Sequence, residues 1–102
     1  MKDAPFGKIK VRFTKYGNKH LYNDAYTGNG GLRRSDLFTL DKLLEKSAYA
    51  GESDLYKERS DNINHFYYYK IRLHGNDAYL NIARERRGKR NIYYVYSVTY
   101  KM

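Results

Sequence analysis

Hydrophobic and polar residues alternate over Lys8–Thr14 (KIKVRFT), where Ile9, Val11 and Phe13 are interleaved with Lys8, Lys10 and Arg12. A period of two predicts a half-buried strand with a basic outer face. Tyr16, Gly17 and Asn18 are expected to break that strand. The stretch onward to Gly31 reads either as a short helix around Leu21, Asp24, Ala25 and Tyr26 or as an irregular excursion. The Gly28-Asn29-Gly30-Gly31 cluster marks a turn. It lacks the Walker spacing of a phosphate-binding loop.

The period then lengthens. From Ser35 or Thr39 through LDKLLEKSAYA, residues Leu40, Leu43, Leu44 and Ser47 or Ala48 fall on one helical face, with Asp41 near the positive end and Gly51 as the stop. A Leu-rich stripe of this kind is core and carries no chemistry. Glu52–Asn62 is polar, acidic and without a period, and reads as a connection with at most a helical turn around Leu55 and Tyr56. Beyond Asn64 the period returns to two in three runs: His65–Leu73, Ala78–Arg84 and Asn91–Tyr100. They are separated by the turns His74-Gly75-Asn76-Asp77 and Arg86-Arg87-Gly88-Lys89-Arg90. The fold class expected is α+β: an N-terminal strand and one or two short helices packed on an antiparallel sheet that ends in a three-stranded meander, all within a single domain, 1–102.

Alternation also assigns faces. Tyr69, Ile71, Leu73, Leu80, Ile82, Tyr94, Tyr96 and Val98 share one face, which the Leu-rich helix can cover. Tyr68, Lys70, Arg72, Tyr79, Asn81, Tyr93, Ser97 and Thr99 share the other, and a slip of one residue would exchange them. The Tyr67-Tyr68-Tyr69 run must send at least one ring to each side.

Composition and charge then change the picture. The chain carries 20 Lys plus Arg against 11 Asp plus Glu, a formal charge of +9, with 13 Tyr and no Cys. The absence of cysteine excludes a disulfide framework and a thiolate zinc site, and suits a reducing cytoplasm. No apolar run reaches the length of a membrane span, and Met1–Lys10 lacks the apolar core of a secretory signal. The charge is segregated. Residues 1–35 hold eight basic and two acidic side chains (+6), residues 36–63 four and seven (−3), and residues 64–102 eight and two (+6). If the fold brings its ends together, Lys8–Lys19 and Lys70–Arg90 form one positive face for a polyanion. Tyrosines in the same segments add rings that stack on bases.

TKYGNKH (Thr14–His20), LDKLLEKSAYAGES (Leu40–Ser53), HFYYYKIRLHGNDAYLNI (His65–Ile82) and IYYVYSVTY (Ile92–Tyr100) together resemble a group found in phages and conjugative elements. These are the large polyvalent protein-associated domains, and their phage relatives, of the barnase/EndoU/colicin/RelE nuclease superfamily. The resemblance spans most of the chain and rests on spacing and residue character. It implies metal-independent RNA cleavage, in which a ribose 2′-hydroxyl attacks the neighbouring phosphate. Such a reaction uses a base, cations for the phosphorane and an acid for the leaving oxygen. His20 and Lys15 would then lie in the catalytic basic segment with Lys19 beside them, and Arg72, Ser97 and Thr99 would contact phosphate from the sheet. Tyr68, Lys70, Tyr79, Arg84, Arg86, Arg87, Lys89 and Arg90 complete the expected nucleic-acid-binding set.

Each of these residues also has an ordinary structural reading. His20 suits a surface position, His65 a strand start and His74 a turn, and the three have no metal-ligand spacing. Asp24, Asp36 and Asp41 read as caps and turn residues rather than a paired-carboxylate centre. No metal and no cofactor is called for. The expected partner is RNA or another polyanion in the bacterial cytoplasm, with no membrane association. A protein partner, either an immunity protein or a host defence complex, is also foreseen. Two other readings share the same features: a non-enzymatic nucleic-acid-binding module, and a phage-encoded inhibitor that occupies a defence nuclease or its nucleic-acid channel.

Overall fold

The computed structural model describes residues 2–4, 7–28, 31–54 and 62–100; the side chains of Tyr16 and Asp54 are outside that description. Strands β1 (Lys2–Ala4) and β2 (Gly7–Ile9) form a small antiparallel hairpin, and β3 is Val11–Arg12. Helix α1 (Lys15–Thr27), a 3-10 helix (Arg34–Phe38) and helix α2 (Leu40–Lys46) follow. The chain then builds β4 (Ala48–Asp54), β5 (Ile63–Leu73), β6 (Asn76–Arg87) and β7 (Arg90–Thr99). One five-stranded sheet runs in the order β3-β7-β6-β5-β4, antiparallel except for the parallel β3–β7 pair. The α+β architecture and the C-terminal meander agree with the sequence reading, and the meander gains one strand on each side.

Local chemistry explains where the sequence reading fails. Tyr16, Gly17 and Asn18 do not break the chain but open α1, because the Thr14 hydroxyl accepts the Gly17 N–H at 3.1 Å and caps the helix. Gly28 closes α1 in the left-handed region at φ 75°. The alternating Lys8–Thr14 run is split at Lys10 into β2 and β3, and Phe13 lies outside both, exposed. The Leu-rich helix ends at Lys46, not Gly51, and Ala48–Asp54 is the edge strand β4. There the backbone pairs with β5, and this tertiary pairing outweighs the helical spacing of Ala48 and its neighbours. The turn expected around Leu55 and Tyr56 lies outside the described residues.

The core occupies the sheet face beneath α2, here called the inner face. Tyr67, Tyr69, Ile71, Leu73, Leu80, Ile82, Val95 and Val98 are buried there with Leu21, Leu32, Leu40 and Leu44. Each such side chain removed from water contributes roughly 1.5–3 kcal/mol. The N-terminal hairpin is fastened over this core: the Tyr69 hydroxyl donates to the Asp3 carbonyl at 2.7 Å, and Lys2 Nζ donates to the Ser47 carbonyl just past the end of α2.

The last strand corrects the predicted faces. Asn81 pairs with Ser97 but Ile82 pairs with Val95, so Tyr96 is an extra residue bulged out of β7. Before the bulge, the register is inverted relative to the expectation. Val95 and Tyr93 join the inner core, while Tyr94 packs on the outer face with Ile63, Phe66, Ala83 and Ile92, and Tyr68 and Tyr96 lie against that cluster. The Tyr67–Tyr69 run divides as predicted, with Tyr67 and Tyr69 inward and Tyr68 outward.

Helix α1 closes the open edge of β7. Strand β3 pairs with β7 only at Tyr93 and Tyr94, and beyond them the Val98 N–H donates to the Asp24 carboxylate at 2.9 Å. Asp24 is therefore not a helix cap but a cap on a strand edge, buried in that role. Asp36 does act as the expected turn residue, accepting the Arg33 N–H at 2.7 Å. No helix among the described residues is long and apolar enough to cross a membrane.

Candidate nucleic-acid interface

The pairing register places six of the eight residues predicted for the outer face in two rows. Lys70, Tyr79 and Thr99 form one row across β5, β6 and β7, and Tyr68, Asn81 and Ser97 form the next. Asn81 Nδ2 donates to Ser97 Oγ at 2.7 Å, and the Thr99 hydroxyl lies 3.5 Å from Asn81 Oδ1. The Tyr68 and Ser53 hydroxyls are 2.7 Å apart. His20 reaches this face from α1, its ring centroid 4.3 Å from that of Tyr96. Lys15 and Lys19 are exposed on the same helix. Arg72 lies at the β5–β6 turn, where Asp77 pairs with both Arg72 and Lys70 at 3.4 Å. Sequence reasoning assigned Asp77 only to the turn, and its carboxylate offsets the charge of the two cations placed at the site.

Arg84 is on the opposite, inner face. Its Nε donates to Asn64 Oδ1 at 2.7 Å and its guanidinium donates to the Tyr67 hydroxyl at 3.2 Å. Beside it, His65 Nε2 meets the Glu52 carboxylate at 2.5 Å, and the His65 and Tyr67 rings are 4.6 Å apart. The His65 side chain is 7% exposed and that of Glu52 is 43% exposed, so the pair is reached from the Glu52 side. Burial raises the Tyr67 phenol above its ordinary value, and the Arg84 cation works against that rise. Burial, then the hydrogen bond to Glu52, raises Tyr49 in the same direction. A histidine, a carboxylate, a guanidinium and a buried phenol thus share one end of the inner face.

A cationic cleft lies at that same end of the sheet. Parallel pairing sets Val11 opposite Tyr93 and Arg12 opposite Tyr94, which brings the two +6 segments of the chain side by side. The seam opens into a cleft of about 220 Å³ lined by Lys8, Ile9, Lys10, Arg12, Asn91, Ile92 and Tyr93. None of these lining residues is acidic. Asn91 follows Arg90 and pairs with Arg86, so the cleft runs into the β6–β7 hairpin with Arg86, Arg87, Lys89 and Arg90. Within the hairpin Arg87 pairs with Glu85 at 2.6 Å, and Arg86 Nε donates to the Gly88 carbonyl. Lys8, Lys10 and Arg12 are thus interface candidates that the site prediction left out. The signal for them was the basic outer face of the alternating KIKVRFT run.

The predicted set is therefore brought together only in part. His20, Tyr68, Lys70, Tyr79, Ser97 and Thr99 share the outer face with Arg72, whereas Arg84 and the hairpin cations belong to the other end. The ten residues of extended chain from Arg90 to Thr99 separate those ends by about 30 Å. Among the described residues no group of three or more His, Asp or Glu side chains is arranged to hold a metal ion. No protein-family model, curated protein or solved structure matches this chain.

Proposed function

We propose that the protein binds RNA as a single-stranded polyanion in the bacterial cytoplasm, using the β3–β7 seam and the β6–β7 hairpin as its grip. The observation that carries this reading is the parallel β3–β7 pair, beside a cleft whose described lining residues include three cations and Tyr93 and no carboxylate. Lys and Arg neutralise phosphates and release condensed counterions, and a tyrosine ring offers a stacking surface for an unpaired base. Binding of a labelled oligouridylate at low salt, weakening steeply as salt is raised, is the expected result. No binding at low salt removes the proposal.

A second reading adds cleavage by 2′-hydroxyl attack, and the inner-face cluster favours it. Tyr93 lines the cleft and its ring is 6.0 Å from that of Tyr67, which accepts the Arg84 hydrogen bond beside the His65–Glu52 pair. That arrangement offers an acid–base pair and a guanidinium next to the grip. His20, whose ring is tilted against that of Tyr96 on the other face, is the alternative base. Incubation of the protein with total tRNA in EDTA separates the two readings. Cleavage lost in His65→Ala and kept in His20→Ala supports the inner-face cluster, the converse supports His20, and no cleavage leaves binding alone.

A further inference from the structure

Four aromatic rings on α1, on the 3-10 helix and just before α1 are left in solvent. Phe13, just before α1, is 42% exposed, Tyr22 and Tyr26 on α1 are 64% and 77% exposed, and Phe38 at the end of the 3-10 helix is 87% exposed. Between α1 and the 3-10 helix is a cleft of about 190 Å³ lined by Phe13, Asn18, Leu21, Tyr22, Leu37 and Leu40. That is smaller than the roughly 300 Å³ at which small-molecule pockets begin, and it matches a single bulky side chain. Leu21, Leu37 and Leu40 join the Phe13 and Tyr22 rings in that lining, a composition that suits an apolar side chain.

Among the described residues, the exposed charges of α1 and of the first turn of the 3-10 helix are of one sign. Lys15 and Lys19 on α1 and Arg33 and Arg34 at the start of the 3-10 helix are exposed. The two carboxylates of the same stretch are turned inward and engaged. Asp24 is buried against the Val98 N–H, and Asp36 is buried against the Arg33 N–H and the His74 imidazole, 2.9 Å away. The next carboxylate along the chain, Asp41, lines a different cleft with Lys2, Val11 and Leu44. An apolar slot on elements that expose four cations, with Asp24 and Asp36 withdrawn from the surface, is complementary to an apolar anchor carried on an acidic chain.

We propose that the cleft between α1 and the 3-10 helix docks an acidic segment of a partner protein, which inserts one bulky apolar side chain between Phe13, Tyr22 and Leu37. Lys15, Lys19, Arg33 and Arg34 set the polarity of that segment, and the exposed rings of Tyr22 and Phe38 are buried when it binds. This surface is formed by α1 and the 3-10 helix and does not depend on the RNA grip at the β3–β7 seam.

Selection of a phage-displayed library of random short peptides on the immobilised full chain tests the proposal. The selected sequences are expected to combine Asp or Glu runs with Phe, Leu or Trp. A synthetic peptide of the selected sequence should bind in fluorescence anisotropy and weaken about tenfold in Tyr22→Ser/Phe38→Ser and again in Lys15→Glu/Lys19→Glu. These positions are all exposed, so circular dichroism should show the fold unchanged. Three results overturn the proposal. The first is selection without an acidic and apolar signature, or binding indifferent to both variants. The second is an equal loss of oligouridylate binding in Tyr22→Ser/Phe38→Ser, which makes the patch a nucleic-acid surface. The third is a concentration-dependent dimer in sedimentation velocity that Tyr22→Ser abolishes, which makes a second copy the occupant.

Discussion

Tyr69 shows how one side chain serves both packing and ionisation. It is fully buried in the inner core and its hydroxyl donates to the Asp3 carbonyl at 2.7 Å, so it ties the N-terminal hairpin to β5. Burial, reinforced by Tyr49, Tyr67 and Asp3, pushes its phenol up to about 12 from an ordinary value of 10.0. Below pH 10 the phenol is protonated in both the folded and the unfolded chain and contributes no pH dependence. As pH rises from 10 toward 12, the unfolded chain releases a proton that the folded chain retains, so folding stability falls. Tyr69→Phe should therefore lower stability by about 1 kcal/mol at pH 8, through the lost hydrogen bond, and should flatten the alkaline decline. Urea midpoints of both proteins at pH 8 and pH 11 measure the two effects. An unchanged alkaline slope in the variant would contradict the assignment.

At the scale of elements, the contact between α1 and β7 is the least tolerant. Gly17 lies in the first turn of the helix, and a Cβ there would sit 2.2 Å from the Val95 carbonyl oxygen. Helix propensity alone says that alanine is better than glycine by about 1 kcal/mol. The edge contact reverses that preference, because the obstacle is backbone and cannot rotate away. Gly17→Ala should lower the urea midpoint, by an amount equivalent to about 1–3 kcal/mol. A midpoint equal to or above that of the parent would show that α1 does not lie on the strand edge. The same contact explains what the sequence revealed and what it hid. Period-two alternation identified the meander, and helical spacing identified Leu40 and Leu44 as core, because both patterns are local. The Tyr96 bulge exchanged the faces of Tyr93 and Tyr94, since β7 is apolar on both sides and its pattern does not specify a register. Gly17 looked like a breaker because its reason for being glycine lies in Val95, far along the chain.

For the whole molecule, the placement of charge matters more than its total. The +9 excess was visible in the composition, and its division into two +6 blocks was visible along the chain. That Lys8, Lys10 and Arg12 would face the start of β7 was not, because a parallel pair between distant segments leaves no local pattern. Asp77 shifts the balance further by engaging Lys70 and Arg72 at the opposite end of the sheet. The seam thus groups Lys8, Lys10 and Arg12 along one cleft, whereas Lys70 and Arg72 share the Asp77 carboxylate. The most direct test is the salt dependence of oligouridylate affinity, measured by anisotropy for the parent, for Lys8→Gln/Lys10→Gln/Arg12→Gln and for Lys70→Gln/Arg72→Gln. Each phosphate contact on single-stranded nucleic acid contributes about 0.7 to the slope of log affinity against log salt, so losing the three seam cations should flatten it by about 2. The Lys70 and Arg72 variant should retain the parent slope. A flattened slope in that variant with the parent slope kept in the seam variant would place the grip on the outer face and contradict this account.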